Sequence, residues 1–287
     1  MTDLGHTRRV AFQGERGAFS EEAAVKLLGE DLRLVPCQTF EKLFAAISDG
    51  LADCALAPIE NSLAGSVHRT YDLLLESSLH ITAETVIRIT HDLIGCRKSS
   101  LETVTTVESH PVALAQCERF FAVHPHIKRL ATDDTAASVR RVVAGDDPAR
   151  AAIAASRAAA IYGGTILRDH LEDHQENYTR FVLLRAAPAV SEQSDKLSLV
   201  LRLAHRPGAL HSVLEPFARR AIDLLKIESR PIMGQPWQYR FYLDLQASTC
   251  DAEVGRALAE LRERADDVRL LGCYPAAHSK LNGTEDR

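Results

Sequence analysis

The stretch Ala57–Leu74, APIENSLAGSVHRTYDLL, carries the strongest structural signal in the sequence. The apolar residues Ala55–Ile59 predict the end of a buried strand. Pro58 has no backbone N–H to donate, so the chain is expected to leave the sheet there. The polar run Glu60–Ser62 follows, and Gly65–Ser66 is expected to open a helix whose first amides lack partners within the helix. Any one of these residues alone is most often an ordinary helix cap, but together they predict a site for a carboxylate.

Strands and helices alternate around this stretch, which is typical of a parallel α/β fold. A first series spans 10–59, and the β-branched run Ile81–Ile94 predicts strands that cross into another lobe. A second series spans 103–155, and a strand at Phe181–Leu184 ends this part of the chain. Two lobes joined by crossing strands are expected to enclose a cleft for a small ligand.

A second kind of domain is predicted near the end of the chain. Residues 187–196 are small, polar and proline-containing, which indicates a linker. Over 197–275 the periodicity predicts strand, helix, strand, strand, helix and strand, and this βαββαβ order is the split arrangement of ferredoxin-like domains. The polar residues 277–287 are expected to be frayed.

Composition limits the classes of partner. The 287-residue chain is 46% hydrophobic and 25% charged, with a formal net charge of -5, and offers no basic stripe for nucleic acid. No apolar run reaches the roughly 18 residues that span a bilayer, and residues 1–10 lack the apolar core of a signal peptide. We therefore expect a cytoplasmic protein without nucleic-acid or membrane partners. The six cysteines form no CxxC pair, so neither a zinc knuckle nor a redox dithiol is predicted.

Four motifs in the sequence occur together and in one order: Gly14–Glu21, Ala57–Leu74, Asn177–Phe181 and, near the end, the pair Gly208–Leu210 and Glu228–Pro231. Over about 8–275 the chain resembles the prephenate dehydratases. The resemblance implies an α/β fold with a bilobal, periplasmic-binding-protein-like (type 2) catalytic domain at 8–186, whose second lobe covers about 86–160. It also implies an ACT regulatory domain at 197–275. The first strand begins near Arg8, so a chorismate mutase domain ahead of it is not expected.

The resemblance implies cofactor-independent loss of carbon dioxide and hydroxide from prephenate to give phenylpyruvate, with no metal. Aromatisation drives that reaction, so an enzyme needs mainly to hold two carboxylates and assist the departing hydroxyl. By resemblance Thr179 lies at that hydroxyl, as a hydrogen-bond donor rather than a titrating acid, and Glu60 and Asn61 are the other catalytic residues. The implied substrate-binding residues are Ser62, Gly65, Ser66, Ser109, Gln116, Thr135, Arg180 and Phe181.

The family's regulation is also implied. L-Phenylalanine is expected to act as effector at an interface between ACT domains, which requires a homodimer or homotetramer. The implied contact residues are Gly208, Ala209, Leu210, Glu228, Ser229 and Arg230. Arogenate dehydratase or dual-specificity cyclohexadienyl dehydratase is an open alternative, since no carboxylate for the ammonium of arogenate is identified. A non-catalytic amino-acid sensor is the alternative from another class.

Several polar residues have two interpretations. His170 and His174 have the i, i+4 spacing of a metal pair on a helix, but no third ligand is evident, and a solvated face is the preferred interpretation. His110 is as well explained by a structural hydrogen bond as by substrate contact. For Asp133 and Asp134, capping of the next helix is expected for at least one of the two.

Overall fold

The computed structural model describes residues 7–277, which form two compact units that are discontinuous in sequence. The first unit contains the described residues up to Leu75 and Thr85–Val182, and the second contains Glu76–Glu84 and the described residues from Leu183 onward. The sequence predicts one boundary at 187–196 and does not foresee that 76–84 groups with the later residues. Within the second unit, Lys196 Nζ lies 3.0 Å from both carboxylate oxygens of the buried Glu84, which explains the grouping.

The first sheet contains strands from the beginning of the chain and one strand from much later in the sequence. The elements are β1 (Arg8–Gln13), α1 (Phe19–Leu28), β2 (Leu32–Cys37), α2 (Phe40–Ser48), β3 (Cys54–Asn61), β4 (Gly65–Ser66), α3 (His68–Glu76), β5 (His80–Arg88) and, much later, β11 (Tyr178–Arg185). The strand order is β2-β1-β3-β11-β5, with β4 paired to β3. Strands β1, β2 and β3 pair in parallel, as the alternating pattern predicts.

The stretch after Pro58 differs from its prediction. Strand β3 continues to Asn61, because its pairing with β1 already ends at Leu56 and the missing N–H of Pro58 breaks no bond of that ladder. Gly65 and Ser66 do not open a helix but pair antiparallel with Asn61 and Glu60. Helix α3 begins at His68.

The second sheet forms the other lobe of the first unit. Its elements are β6 (Asp92–Gly95), β7 (Thr106–Ser109), α4 (Pro111–Ala115), α5 (Glu118–Val123), β8 (Lys128–Ala131), α6 (Thr135–Gly145), β9 (Arg150–Ala154), α7 (Ser156–Tyr162) and β10 (Thr165–Arg168). The strand order is β10-β6-β9-β7-β8, in which β7, β8 and β9 are parallel. This sheet therefore extends past the predicted end near residue 160, because the short and largely exposed β10 gives no periodic signal.

The second unit has the predicted βαββαβ order. Its elements are β12 (Lys196–Arg202), α8 (Ala209–Ala218), β13 (Asp223–Ile232), β14 (Gln235–Gln246), α9 (Ala252–Arg264) and β15 (Asp267–Tyr274), with strand order β13-β14-β12-β15. Alternate residues of β12 pack with the apolar stripes of α8 and α9, which form one buried core. This is the ferredoxin-like topology. The predicted frayed tail at 277–287 lies, beyond residue 277, outside the described residues.

The loop of the first motif joins the two lobes of the first unit. A Cβ added to Gly17 would lie 2.8 Å from Ala158 Cα in α7, so only glycine allows this approach. The fully buried carboxylate of Glu21 accepts hydrogen bonds from Gly17 N (2.7 Å), Arg16 Nε (3.0 Å) and Arg157 Nη2 (3.0 Å). Burial opposes the charge on Glu21, but these hydrogen bonds outweigh it and lower the pKa of the carboxyl.

Candidate active site

A cavity of about 410 Å³ lies in the first unit and is lined by residues of both lobes. The cavity brings together many of the predicted site residues: Asn61, Gly65, Ser66, Gln116, Thr135, Thr179 and Phe181. His110, Asp133 and Asp134, whose roles the sequence leaves open, also line it. His91 and Ser20 line it without having been predicted.

The orientation of the Asn61 amide is fixed by backbone groups of the β3–β4 turn. Its Oδ1 accepts hydrogen bonds from Leu63 N (3.0 Å) and Ala64 N (2.8 Å). Since only the oxygen can accept from an N–H, Nδ2 must face the other way. There it donates to Asn177 Oδ1 (2.7 Å) and to Thr179 Oγ1 (2.9 Å). The Asn61 amide therefore donates to a lone pair of the Thr179 hydroxyl oxygen.

A chain of side-chain hydrogen bonds continues from this amide into the other lobe. Asn177 uses its oxygen toward Asn61, so its Nδ2 donates to Gln116 Oε1 at 2.9 Å. The same Oε1 lies 2.9 Å from His91 Nε2. Gln116 ends helix α4, and its backbone oxygen accepts from Asp173 N at 2.8 Å. Its amide nitrogen has no hydrogen-bond partner among residues 7–277 and can bind a ligand.

Thr179 is the best-placed proton donor of the cavity. The residue lies in β11 and is 9% exposed, and its oxygen already accepts a hydrogen bond from Asn61. The hydroxyl proton is therefore directed away from that donor and can be given to an oxygen of a bound ligand. Phe181, two residues later on the same face of the strand, supplies an apolar wall.

Four predicted site residues do not line the cavity. Glu60 neighbours Asn61 on β3 and so faces the opposite side of the strand, where it pairs with Arg180 at 3.1 Å. Ser62 clamps the backbone next to β11, because its Oγ donates to Glu176 O and accepts from the amide of residue 178, each at 3.0 Å. Ser109 is fully buried, and its hydroxyl donates to a backbone oxygen of β9 at 2.6 Å. Contact of these four residues with substrate stays a prediction.

Helix N-termini at the cavity are supplied by α4 and α6. The expected capping role holds for Asp134, whose Oδ1 accepts from Ala137 N at 2.7 Å, so Thr135 opens α6 at the cavity. Burial raises the pKa of the Asp134 carboxyl. His110 caps α4 by accepting from Val112 N at 3.2 Å, and burial lowers the pKa of its ring. The structural hydrogen bond, one of the two interpretations of His110, is thus present in a residue that also lines the cavity.

Two members of the hydrogen-bond chain were not predicted as site residues. Asn177 is the first residue of the Asn177–Phe181 motif, and its place in that motif is a signal that the sequence contains. His91 and Asp92 lie between the apolar residues Ile89 and Leu93, and polar residues in such a segment are a signal for a buried polar contact. His170 and His174 lie outside any helix, so the i, i+4 geometry on which a metal pair depends is absent from this described segment.

The residues predicted to bind the effector lie in the second unit. Gly208 precedes α8 with φ = 79°, a left-handed conformation that glycine adopts readily, and Ala209 and Leu210 form the first turn. Glu228–Arg230 lies within β13, which is an edge strand of its sheet and ends at Ile232.

Fold and cavity define an α/β protein with a two-lobed cleft, which holds neutral hydrogen-bond donors and a threonine hydroxyl for a small polar ligand. The family model of prephenate dehydratase matches residues 10–189. The chain therefore belongs to the prephenate dehydratase family, as its four motifs predict, and this family also includes proteins named arogenate dehydratase.

Relatives that match nearly the whole chain support this family assignment. An arogenate dehydratase/prephenate dehydratase 2 (chloroplastic) of Arabidopsis thaliana is 40% identical over 288 residues, covering 96% of this chain and 75% of that protein. A solved prephenate dehydratase from Arthrobacter aurescens, in complex with L-Phe, is 33% identical with a TM-score of 0.85, covering 93% of this chain and 89% of that chain. A solved protein described as GqqA, a novel type of quorum quenching acylases, is 32% identical with a TM-score of 0.85. The match covers 94% of this chain and 99% of that chain. Within the described residues, none of the helices is long and apolar enough to span a bilayer.

Proposed function

We propose that this chain is a prephenate dehydratase that forms phenylpyruvate in L-phenylalanine biosynthesis without a cofactor. In this reaction the ring carboxylate leaves as carbon dioxide, its bonding pair becomes the new ring π bond, and the ring C–O bond breaks. The departing hydroxide accepts a hydrogen bond from Thr179 and takes a proton from solvent to leave as water. The observation that carries the proposal is the Thr179 hydroxyl, which accepts from Asn61 at 2.9 Å inside the cavity and so keeps its proton for the leaving oxygen.

The other cavity residues have matching roles in this proposal. Gln116 offers its amide N–H groups to a substrate carboxylate, and the side chain of Thr135 offers a further hydrogen bond from the start of α6. Gly65 and Ser66 shape the wall formed by the β3–β4 turn. Threonine does not titrate near neutral pH, so Thr179 acts as an oriented hydrogen-bond donor, and one such donor is worth about 10²- to 10³-fold in turnover.

The test is turnover of prephenate by the purified protein, followed by the absorbance of the phenylpyruvate enolate. Thr179→Val should lower kcat by about 10²-fold or more, whereas Thr179→Ser should retain most of it. Thr105→Val, at an exposed threonine outside the cavity, is the matched control and should behave as the parent protein. Unchanged turnover in Thr179→Val would remove this residue from the mechanism.

Arogenate is the second candidate substrate, and Asp133 is the observation that favours it. This exposed carboxylate lines the cavity, and no lysine or arginine is found among the described lining residues. An ammonium group on the ligand would be balanced by Asp133, since the Asp134 carboxylate already caps α6. The name of the Arabidopsis relative includes both activities. If Asp133 binds that ammonium, Asp133→Asn should lower kcat/KM for arogenate about tenfold and change that for prephenate little. Equal effects on both would contradict the pairing.

The acylase activity in the name of the GqqA protein is not part of this proposal. Acyl transfer to a hydroxyl requires a neighbouring base that accepts the hydroxyl proton. The neighbour of Thr179 is instead the amide nitrogen of Asn61, which donates to the hydroxyl oxygen.

We further propose that the second unit is an ACT domain in which L-phenylalanine regulates a homodimer or homotetramer. Ala209 N already donates to Arg206 O at 3.2 Å, so the next amide of α8, that of Leu210, is the one proposed to bind a carboxylate. The other proposed contacts are Glu228, Ser229 and Arg230 on β13. The edge strand β13 exposes Leu225 (46%) and Ile227 (43%), which supports pairing with a second copy. The L-Phe complex of the Arthrobacter relative supports the effector.

The regulatory proposal has its own test. Phenylalanine should suppress turnover, and Gly208→Val should abolish this suppression while leaving uninhibited turnover intact, because the side chain would block the approach to the α8 amides. Sedimentation should show a dimer or larger assembly that Leu225→Lys weakens. Binding of phenylalanine without turnover of prephenate or arogenate would favour the non-catalytic sensor. A cytoplasmic location belongs to this proposal and is consistent with the six free cysteines.

A further inference from the structure

His91 is held rigidly at the cavity by its surroundings. Its backbone N–H donates to Glu172 Oε2 (2.8 Å) and its carbonyl oxygen accepts from Leu171 N (2.7 Å). The imidazole is 2% exposed and meets the ring of Phe19 edge to face, with 5.8 Å between centroids. These contacts restrict the His91 ring to a single orientation relative to its neighbours.

The tautomer of this imidazole follows from the hydrogen-bond chain. Backbone amides fix the Asn61 oxygen, so Asn61 donates to Asn177 and Asn177 donates to Gln116 Oε1. An oxygen at 2.9 Å from His91 Nε2 requires that nitrogen to be the donor. The imidazole therefore carries its proton on Nε2, and Nδ1 is the acceptor. Buried Nδ1 has no hydrogen-bond partner among residues 7–277.

We propose that His91 is a positioning residue of the dehydratase, whose Nε2–H holds the Gln116 amide with its nitrogen turned to the substrate carboxylate. This inference rests on the proposed function and extends it to a residue without predicted substrate contact. Asn177 alone leaves one lone pair of Gln116 Oε1 open, so the amide could turn over. The second donor, His91 Nε2–H, makes the reversed orientation of the Gln116 amide unfavourable. In that orientation the N–H groups of His91 and Asn177 would both face the Gln116 NH₂ group, which cannot accept a hydrogen bond.

The neutral ring is part of this role. A proton on Nδ1 would bury a second N–H without an acceptor, and burial lowers the pKa of the ring. The acidic groups that act on the ring, Glu172 and Asp92, favour the cation but do not outweigh burial. The other packed groups, Phe19 and Gln116, carry no charge. The donor therefore stays in place as the solution becomes mildly acidic.

The experiment has a structural and a kinetic arm. In protein labelled with ¹⁵N-histidine, the imidazole nitrogen shifts report the tautomer of His91, which is assigned by the signals that vanish in His91→Phe. We expect a neutral ring with its proton on Nε2 at neutral pH. For kinetics, His91→Gln places an amide donor near the Nε2 position, whereas His91→Asn places one near Nδ1, so only the glutamine should rescue.

The kinetic arm uses the substrate that the parent protein turns over. We expect His91→Phe and His91→Asn to lower kcat/KM about tenfold, mainly through KM, and His91→Gln to retain most of it. In a Gln116→Met background, His91→Phe should lower kcat/KM less than about twofold, since its effect passes through Gln116.

Several outcomes would overturn the inference: an Nδ1–H tautomer, equal losses in the asparagine and glutamine variants, or additive losses in the double variant. Circular dichroism and thermal melts identify a variant that is merely unfolded, in which case the NMR result decides. If the parent protein turns over neither prephenate nor arogenate, the proposed function fails by itself, while the NMR arm still tests the donor. His124→Phe, outside the cavity lining, is the matched histidine control and should leave kcat/KM unchanged.

Discussion

Replacing Asn61 by aspartate should reverse the direction of the hydrogen-bond chain in the active site. The substitution keeps the oxygen that accepts the two backbone amides and converts Nδ2 into an acceptor. Asn177 would then turn its amide to donate to the new carboxylate, which places its oxygen toward Gln116. Gln116 must turn in response, and its nitrogen would face His91 Nε2 at 2.9 Å, which forces the proton of that ring to Nδ1.

Two magnitudes follow from the contacts of Asn61. The backbone oxygen of Tyr178, 3.1 Å from Nδ2, cannot turn, because it already accepts from Ser62 N at 2.8 Å. One acceptor–acceptor contact therefore remains, at a cost of about 1–3 kcal/mol in the free energy of unfolding. The Thr179 hydroxyl, 2.9 Å away, would give its proton to the carboxylate instead of the substrate, so kcat should fall about 10²- to 10³-fold.

The assays are phenylpyruvate formation, urea unfolding and the ¹⁵N shifts of the His91 imidazole. The matched control is Asp147→Asn, which makes the opposite exchange of atoms in an exposed turn and should leave all three readouts unchanged. A variant at Asn61 that keeps both the parent kcat and the Nε2–H ring would refute the chain of donors and acceptors derived above.

Three further predictions concern stability. Gly17→Ala should lower the free energy of unfolding, measured in thermal melts, by about 1–3 kcal/mol more than Gly29→Ala. Both glycines have positive φ, but only at Gly17 would an added Cβ meet backbone atoms. Equal destabilisation by the two variants would contradict this. Lys196→Met should lower the free energy of unfolding in urea by about 3–5 kcal/mol, because the buried Glu84 loses the lysine beside it. Adding Glu84→Gln to this variant should restore part of that free energy. No restoration would argue against the ion pair. The pKa of Glu21 is lowered on folding, so its charge stabilises the fold above about pH 4.5, and this stabilisation is lost as the pH falls through the lower folded value. The difference in free energy of unfolding between the parent protein and Glu21→Gln, measured by calorimetry, should therefore shrink in acid. A difference that grows in acid would contradict the lowered pKa.

Periodic signals predicted the fold well. The alternation of strand and helix, and the βαββαβ order of the later residues, follow from amphipathic patterns that the buried cores then satisfy. The boundaries of 76–84 could not be predicted, because that grouping depends on a long-range pair between Glu84 and Lys196. Strand β10 was missed because its residues are mostly exposed.

Some of the predicted site residues line the cavity, and the position of Glu60 away from it has a definite cause. Interpreting Pro58 as the end of a strand treated Glu60 and Asn61 as neighbours in a loop, whereas a continuing strand sends their side chains to opposite faces. Thr179 and Gln116 did reach the cavity. His91 could not be assigned from sequence, because its role depends on which atoms of Gln116 and Asn177 face each other.

The chain enters the second unit twice, first through Glu76–Glu84 and again from Leu183 onward. Such a unit is not a detachable appendage. A chain cut at residue 189, where the family match ends, would keep the buried carboxylate of Glu84 and discard the lysine beside it. A graft of residues 190–277 onto another enzyme would lack a segment that belongs to its own packing. Gene fusion alone therefore cannot transplant this unit, since a host must also contribute an internal stretch that does the work of 76–84.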